Sequence, residues 1–351
     1  MQFRTIEIKG YFCGLRFNPI LDMKILGIGN ALVDIMTSLS DEKTLATLNL
    51  PKGSMQLVNE QSMYRALDET KGFSRVLASG GSAANTINGL ANLGVQTAFI
   101  GKVGDDDMGA FFRSDLEKIG ITPCLLRGNA PSGRALAFVT PDSERTFATY
   151  LGSAIEMTAE ELTDDMFKGY SYLHIEGYLV QNHKLVERAM ELAKANGLKV
   201  SLDLASYNVV EANREFLQSM IEKYVDIIFA NEEEAKAYSG RTPFESLVEL
   251  SKYVDIAVVK LGEKGSIVKQ GAQVYDITAV PAKSIDTTGA GDSYAAGFLY
   301  GLTKGLDLEK CGQIGSVISA RVIEVMGPKM DEQRWAHVKG MIDFIEKYEQ
   351  Q

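Results

Sequence analysis

The sequence predicts an α/β fold, a mostly parallel sheet with helices on both faces and a small β lid. Short apolar runs, Lys24 to Gly29, Ala98 to Gly101, Tyr172 to Ile175, Lys199 to Leu204, Asp226 to Ala230 and Ile256 to Leu261, have the length and composition of strands buried on both sides. Between them lie stretches of helical period, such as His183 to Asn196, which stops at Gly197. Strands that alternate with helices in this way pack as three layers around a parallel sheet. Two segments break the rhythm: Val33 to Leu39 with Ser54 to Val58, and Ala135 to Tyr150, where Pro141-Asp142-Ser143 separates two strand-like runs as a hairpin turn would. They are read as the lid, spanning about 33–58 and 135–151. Without repeats, low-complexity tracts or linker-like shifts in composition, the lid is an excursion from one domain, 23–351.

Residues 1–22 show no sustained period, and Met23 stands immediately before the first strand, so they are read as an N-terminal extension upstream of the start. Ile6, Ile8, Tyr11 and Phe12 leave a short accessory strand as the other reading. The first strand then runs into Gly29-Asn30-Ala31-Leu32-Val33-Asp34. Open α/β sheets bind ligands beyond the carboxyl ends of their strands, which puts Asn30 and Asp34 within reach of a substrate, the carboxylate suited to two neighbouring sugar hydroxyls. A dinucleotide fingerprint is not completed there, because position 32 is Leu rather than the third glycine.

Gly80-Gly81-Ser82-Ala83-Ala84-Asn85 opens a helix whose Ala84, Ile87 and Ala91 share a face and which ends at Gly94. Paired glycines let a backbone approach a ligand closely, and Asn85 can donate and accept near that helix start. The plainer reading is a tight turn capped by Ser82. Further on, Asn231-Glu232-Glu233-Glu234 follows a strand. Asn231 and Glu234, three apart on one helix face, could hold a hydrated Mg2+ through its waters, or serve only as an N-cap with acids that suit the helix dipole. Lys260-Leu261-Gly262-Glu263-Lys264-Gly265 leaves a strand sharply and offers either a wall for a nucleotide or an ordinary hairpin.

Residues 286–297 read Asp-Thr-Thr-Gly-Ala-Gly-Asp-Ser-Tyr-Ala-Ala-Gly. Gly289 and Gly291 let the chain curl so that successive N–H groups converge, and the following helix adds its positive end, which together make an anion cradle. A carboxylate beside a phosphate is repelled, so Asp292 makes sense as a base that takes the proton of an attacking hydroxyl. The competing reading is a loop-to-helix turn with Asp292 as a first-turn acid. No Walker A sequence occurs, since Gly101-Lys102 is followed by Val103, so the phosphate site falls to the Gly-Ala-Gly loop.

The 351-residue chain has 36 basic and 46 acidic residues, a formal charge of -10, which disfavours nucleic acid and anionic membranes as partners. Cys13, Cys124 and Cys311 are odd in number and widely spaced, which fits a reducing cytoplasm better than disulfides or a CxxC metal site. No apolar run reaches the ~18 residues of a spanning helix, and no export signal is evident at the N-terminus. His174, His183 and His337 are too dispersed for a zinc site or a triad, and Trp335 is expected to pack onto the body.

Taken together and in order, these segments resemble the ribokinase-like carbohydrate and nucleoside kinases, the PfkB family, from about Met23 to the C-terminus. The Gly80–Asn85 segment is similar to the family's first signature, Asp286–Asp292 to its second, and Asn231 with Glu234 to its N-x-x-E motif. The resemblance implies a ribokinase-like α/β/α fold and ATP-dependent phosphorylation of a primary hydroxyl. It makes Asp292 the base and Gly289, Ala290 and Gly291 the anion hole. Asn231 and Glu234 become the Mg2+ organisers; Asn30, Asp34, Gly80, Gly81 and Asn85 the polyol set; and Asn231, Lys260, Gly262 and Gly265 the ATP site. Lys260 departs from the Thr or Ser that relatives often carry. Some relatives also bind a monovalent cation near positions matching Asp286 and Thr288. Gly29 to Asp34, Lys52 to Met55 and Arg145 to Gly152 look most like bacterial adenosine-kinase-like members, with Phe147 and Tyr150 available to stack on a purine. A nucleoside is therefore the expected acceptor, a free sugar such as ribose or fructose the second, and a non-catalytic sensor the third reading. A lid edge strand leaves both a monomer and a homodimer open.

Overall fold

The computed structural model describes residues 23–142 and 144–347. The readings for 1–22, for Cys13 and for Ser143 of the hairpin turn lie outside the described residues. Among the described residues the strands are β1 (Lys24–Ile28), β2 (Leu32–Ser38), β3 (Met55–Leu57), β4 (Arg75–Gly80), β5 (Gln96–Val103), β6 (Ile121–Arg127), β7 (Gly133–Val139), β8 (Arg145–Tyr150), β9 (Tyr172–Glu176), β10 (Lys199–Asp203), β11 (Ile227–Asn231), β12 (Ile256–Lys260), β13 (Ser266–Gln270) and β14 (Gln273–Ile277). They form a nine-stranded sheet in the order β14-β13-β12-β11-β10-β9-β1-β5-β6 and a five-stranded sheet in the order β3-β8-β7-β2-β4.

The larger sheet is parallel from β12 to β6 and antiparallel only at the β12–β13–β14 edge. Side chains alternate faces along a strand, and here the alternation separates two cores. Ile25, Ile227, Phe229, Ile256 and Val258 join the helices 82–92, 290–303 and 308–322 on one face. Leu26, Ile28, Ile228, Ala230, Ala257 and Val259 join the helices 183–195, 214–224 and 243–250 on the other. Both faces being covered explains why these strands read as unbroken apolar runs.

The smaller sheet is the lid. β7 and β8 pair antiparallel across the Pro141-Asp142 turn, as their sequence predicts, and β2 pairs parallel with β7. The lid gains one strand that the pattern did not show: β4, antiparallel to β2, whose Arg-Val-Leu-Ala-Ser-Gly lacks a clean alternation because Ser79 and Gly80 at its end are buried against the domain. Edge strands β6 and β14 were likewise silent in the sequence. β6 carries Pro123, a residue an edge strand accommodates, and β14 is largely exposed. No helix among the described residues is long and apolar enough to cross a membrane. Trp335 is buried in the first core, as expected.

Candidate active site

The chain runs from β1 outward to β5 and β6, then returns to β9 and runs outward through β10, β11 and β12. The order therefore reverses between β1 and β9, and such a switch point opens a crevice at the carboxyl ends of the strands. Glu176, the last residue of β9, stitches this point together. Its Oε1 accepts from Asn30 N at 2.9 Å and Asn30 Nδ2 at 2.6 Å, and its Oε2 from Ala83 N at 2.9 Å. Burial pushes the Glu176 carboxyl up to about 7 against these hydrogen bonds, which favour its charged form. Glu176 thus fixes the turn after β1 and the start of the helix 82–92 in one step.

Gly81, with φ of 98°, and Gly80 are required by close approach rather than by turn shape alone. A Cβ on Gly80 would run into the Asp34 carboxylate, and one on Gly81 into the Asn30 carbonyl. Asn30, Asp34, Gly80 and Gly81, separated in sequence, thereby meet at one wall. Burial pushes Asp34 up to about 7, with Lys329 pulling it back and Asp292 adding to the rise. Lys329, whose Nζ donates to Ser79 Oγ at 3.0 Å, is itself pushed down to about 8 by burial.

Across the crevice stands the 14-residue helix Ala290–Thr303, with Gly289 as its N-cap in the left-handed region at φ 75°. The first-turn N–H groups of a helix have no intrahelical partner. Asp292 lies in that turn and is held from the opposite helix: Ser82 Oγ donates to its Oδ1 at 2.7 Å and Asn85 Nδ2 to its Oδ2 at 3.0 Å. Burial pushes the carboxyl up to about 6, and the Ser82 and Asn85 hydrogen bonds oppose that rise, so the group is mostly ionised at neutral pH. Among the described residues Asn85 Oδ1 is buried without a partner, which leaves it able to accept from a ligand hydroxyl. Ser82 is a first-turn residue, not the cap; Gly81 is the cap.

At the nucleotide end the plainer reading of Asn231 and Glu234 holds locally. Glu234 N donates to Asn231 Oδ1 at 2.8 Å, and Asn231 N donates to Glu234 Oε2 at 2.8 Å, a complete capping box. Burial, then the charge of Asp203, pushes Glu234 up to about 7. Asp203, at the end of β10, accepts from Ala205 N at 3.0 Å and from Lys260 Nζ at 2.8 Å. Gly262 and Gly265 take φ of 58° and 95° in the turn between β12 and β13, and a Cβ on Gly265 would run into the Ile277 carbonyl.

The lid is tied to the cradle by Arg145 of β8. Its guanidinium pairs with the Asp286 carboxylate, which is fully buried, and donates to Thr288 Oγ1 at 2.8 Å. Asp286 also accepts from Thr288 N at 2.7 Å and Gly327 N at 2.6 Å. The two side chains that the resemblance offers to a monovalent cation are therefore already taken by a guanidinium, and they do not fit a second cation in this arrangement.

The predicted site residues other than Gly80 line one cleft of about 1850 Å³; of the two lid aromatics Phe147 lines it, whereas Tyr150 is buried and does not. Sequence reasoning missed Ser82, Glu176, Asp203 and Arg145. Each works through a contact spanning more than 50 positions, Lys260 to Asp203 being the shortest, and only the strand-end places of Glu176 and Asp203 were visible signals. Lys102 is spent on Glu161 at 2.7 Å. His174 is buried beside Ser201 and pushed down to about 4 by burial, and His183 stacks on Phe216, so neither belongs to a triad. Among the described residues no group of His, Cys, Asp and Glu has the arrangement of a direct metal site.

Residues 55–334 match the model of the pfkB family carbohydrate kinases. The fold is shared with the adenosine kinase of Sinorhizobium meliloti, at a TM-score of 0.80 and 35% identity over 91% of this chain and 99% of that one. The chain is also 31% identical to a nucleoside kinase of Methanocaldococcus jannaschii over 77% of its own length and 86% of that protein's. It is 28% identical to a 5-dehydro-2-deoxygluconokinase of Bacillus subtilis over 81% and 91% respectively.

Proposed function

The chain belongs to the pfkB family of carbohydrate kinases, and on that premise, as a sugar or nucleoside kinase with an alcohol group as acceptor, we propose that it transfers the γ-phosphoryl of Mg-ATP to the primary hydroxyl of a nucleoside. The observation that carries the reading is Asp292: a buried carboxylate, pushed up to about 6 yet kept ionised by Ser82 and Asn85, in the first turn of a helix whose N-terminus cradles anions.

Asn30, Asp34 and Asn85 orient the sugar of the acceptor so that its primary hydroxyl faces Asp292. Asp292 takes the hydroxyl proton as the oxygen attacks phosphorus, and the backbone of Gly289, Ala290 and Gly291 binds the transferring phosphoryl. The bond from phosphorus to the bridging oxygen breaks, and ADP leaves with that electron pair. Gly262 and Gly265 border the nucleotide. Asn231 and Glu234 are placed to hold Mg2+ through its waters rather than directly, because their side chains already satisfy one another. When bound, the ion neutralises phosphate charge. The lid excludes water, which limits hydrolysis of ATP.

The nucleoside is favoured by the lid side of the cleft, which is lined by Leu32, Met55, Leu57, Phe147, Leu151 and Ile155. Met55, Leu57 and Ile155 are 62%, 65% and 64% exposed, an apolar surface that a flat base would cover and a free sugar would leave wet. The 35% identity to an adenosine kinase points the same way. The likeness to a 5-dehydro-2-deoxygluconokinase supports a sugar-acid acceptor as the second reading.

The test is ADP release by purified protein with adenosine, other nucleosides, ribose, fructose and 5-dehydro-2-deoxygluconate. Adenosine-dependent turnover that Asp292→Asn abolishes supports the proposal. Turnover confined to sugars overturns the nucleoside assignment, and silence with every acceptor overturns it as well, in favour of an acceptor outside this set or of a non-catalytic sensor.

A further inference from the structure

Lys260 ends β12 with its side chain 14% exposed, and a lysine that deep is ordinarily held by a partner. Asp203 provides one at 2.8 Å. Burial works against the ammonium, but Asp203 and Glu234 more than offset it, so the charge is firmly kept. The informative feature is where that charge sits. A Cβ on Gly291 would lie 3.0 Å from Lys260 Nζ, so the ammonium packs directly on the backbone of the cradle, in the first turn of the helix Ala290–Thr303. A cation at the positive end of a helix is electrostatically misplaced unless an anion comes between them. An ion pair serving only to join β10 to β12 across β11 has no need to reach that position. Among the described residues the only hydrogen bond from Nζ goes to Asp203, which leaves two of the three ammonium N–H donors for a ligand, and Lys260 lines the cleft.

We propose that Lys260 is a catalytic residue that touches the transferring phosphoryl group at the Gly289–Gly291 cradle, with Asp203 as the positioning residue that aims its ammonium. The inference rests on the phosphoryl transfer given above and moves Lys260 from the nucleotide wall to the reacting atoms. As the acceptor oxygen bonds to phosphorus, its proton passes to Asp292 and the bond to the β-phosphate oxygen breaks. Negative charge spreads over the equatorial phosphoryl oxygens, and a fixed ammonium stabilises that charge more than it stabilises the ground state.

The experiment compares wild type with Lys260→Met, Lys260→Arg and the double variant Lys260→Met with Asp203→Asn. The double variant removes both charges and leaves no orphaned buried carboxylate, so it keeps the question open if the single variant fails to fold. Two readouts are taken in magnesium buffer: kcat and KM with an acceptor, and calorimetric affinity for ADP alone and for ADP with aluminium fluoride, a mimic of the transferring phosphoryl. The expected result is a ~100-fold to 1000-fold loss of kcat in both Met variants, the size seen when one preorganised charge-stabilising donor is removed. Affinity for the fluoride complex falls with it while affinity for ADP stays within about threefold, and Lys260→Arg recovers part of both. Unchanged fluoride-complex affinity in the Met variants, or an equal loss for ADP alone, overturns the proposal. The fluoride readout needs no acceptor, so a wrong acceptor class would leave it intact, whereas failure of wild type to bind the fluoride complex more tightly than ADP would count against phosphoryl transfer itself.

Discussion

The two sheets of this protein are built to different rules. In the nine-stranded sheet successive residues such as Ile227, Ile228, Phe229 and Ala230 are all buried, because helices cover both faces. In the lid, β2 alternates buried and partly buried residues along its length, and β3 shows Met55 and Leu57 largely exposed. The larger sheet carries the groups of the proposed chemistry at its strand ends or on helices packed against it, where a displacement of one ångström would be costly. The lid contributes mainly an uncovered apolar face, with Asp34 turned to the acceptor and charged ties that include Arg145 to Asp286 and Arg134 to Asp106 at 2.9 Å. The comparison teaches that precision and adaptability have been divided: rigidity where protons and phosphoryl groups move, exposed apolar surface where an acceptor must enter and be covered.

The sharpest way to break this division is at its rigid side. Asp292→Asn is expected to lose at least ~100-fold in kcat, with KM for the acceptor changed by no more than a few fold, measured in steady state. Near-normal turnover would remove Asp292 from the base role. Next is the Arg145 tie between the regions. Arg145→Met leaves the Asp286 carboxylate buried with backbone donors only, and breaking such a pair costs about 3 kcal/mol; a fall in the urea midpoint of unfolding is the measurement, with weakened catalysis accompanying it as the cradle loop loosens. Unchanged stability would show the tie to be dispensable.

On the lid side, Phe147→Ala and Leu57→Ala are expected to raise KM for a nucleoside by ~10-fold, the order of one lost apolar or aromatic contact, and to leave kcat nearly unchanged. Equal losses in kcat would erase the contrast between the regions. The smallest expected effect is a shift in pH dependence. Asp292 acts when ionised, so kcat/KM falls as pH drops through its value of about 6. Ser82 donates to the ionised carboxylate and lowers that value, so Ser82→Ala should move the acid limb to higher pH. A limb that stays in place would mean that Ser82 does not tune the base.

The parallel strands were legible because burial on both faces leaves an unmistakable apolar run, and the cradle because glycine at Gly289 answers a left-handed backbone that few other residues adopt. β4 was not, since Ser79 and Gly80 owe their burial to the domain beneath them rather than to their own hydrophobicity. For Asn231 and Glu234 the sequence could not separate a cap from a metal organiser, because both uses demand the same residues at the same spacing. The structure shows the cap.

The sequence by itself determined the layers, the hairpin of the lid and the local turn that can hold an anion, because periodicity and backbone freedom are properties of neighbouring residues. Only the tertiary structure decided that Ser82 and Asn85 hold Asp292, that Glu176 stitches the switch point, that Arg145 takes Asp286 and that Lys260 rests against Gly291. Those pairings join residues from 31 to more than 200 positions apart. Charge and hydrogen bonding act over a few ångströms of space, and nothing in the order of the chain records which side chains the fold will bring that close.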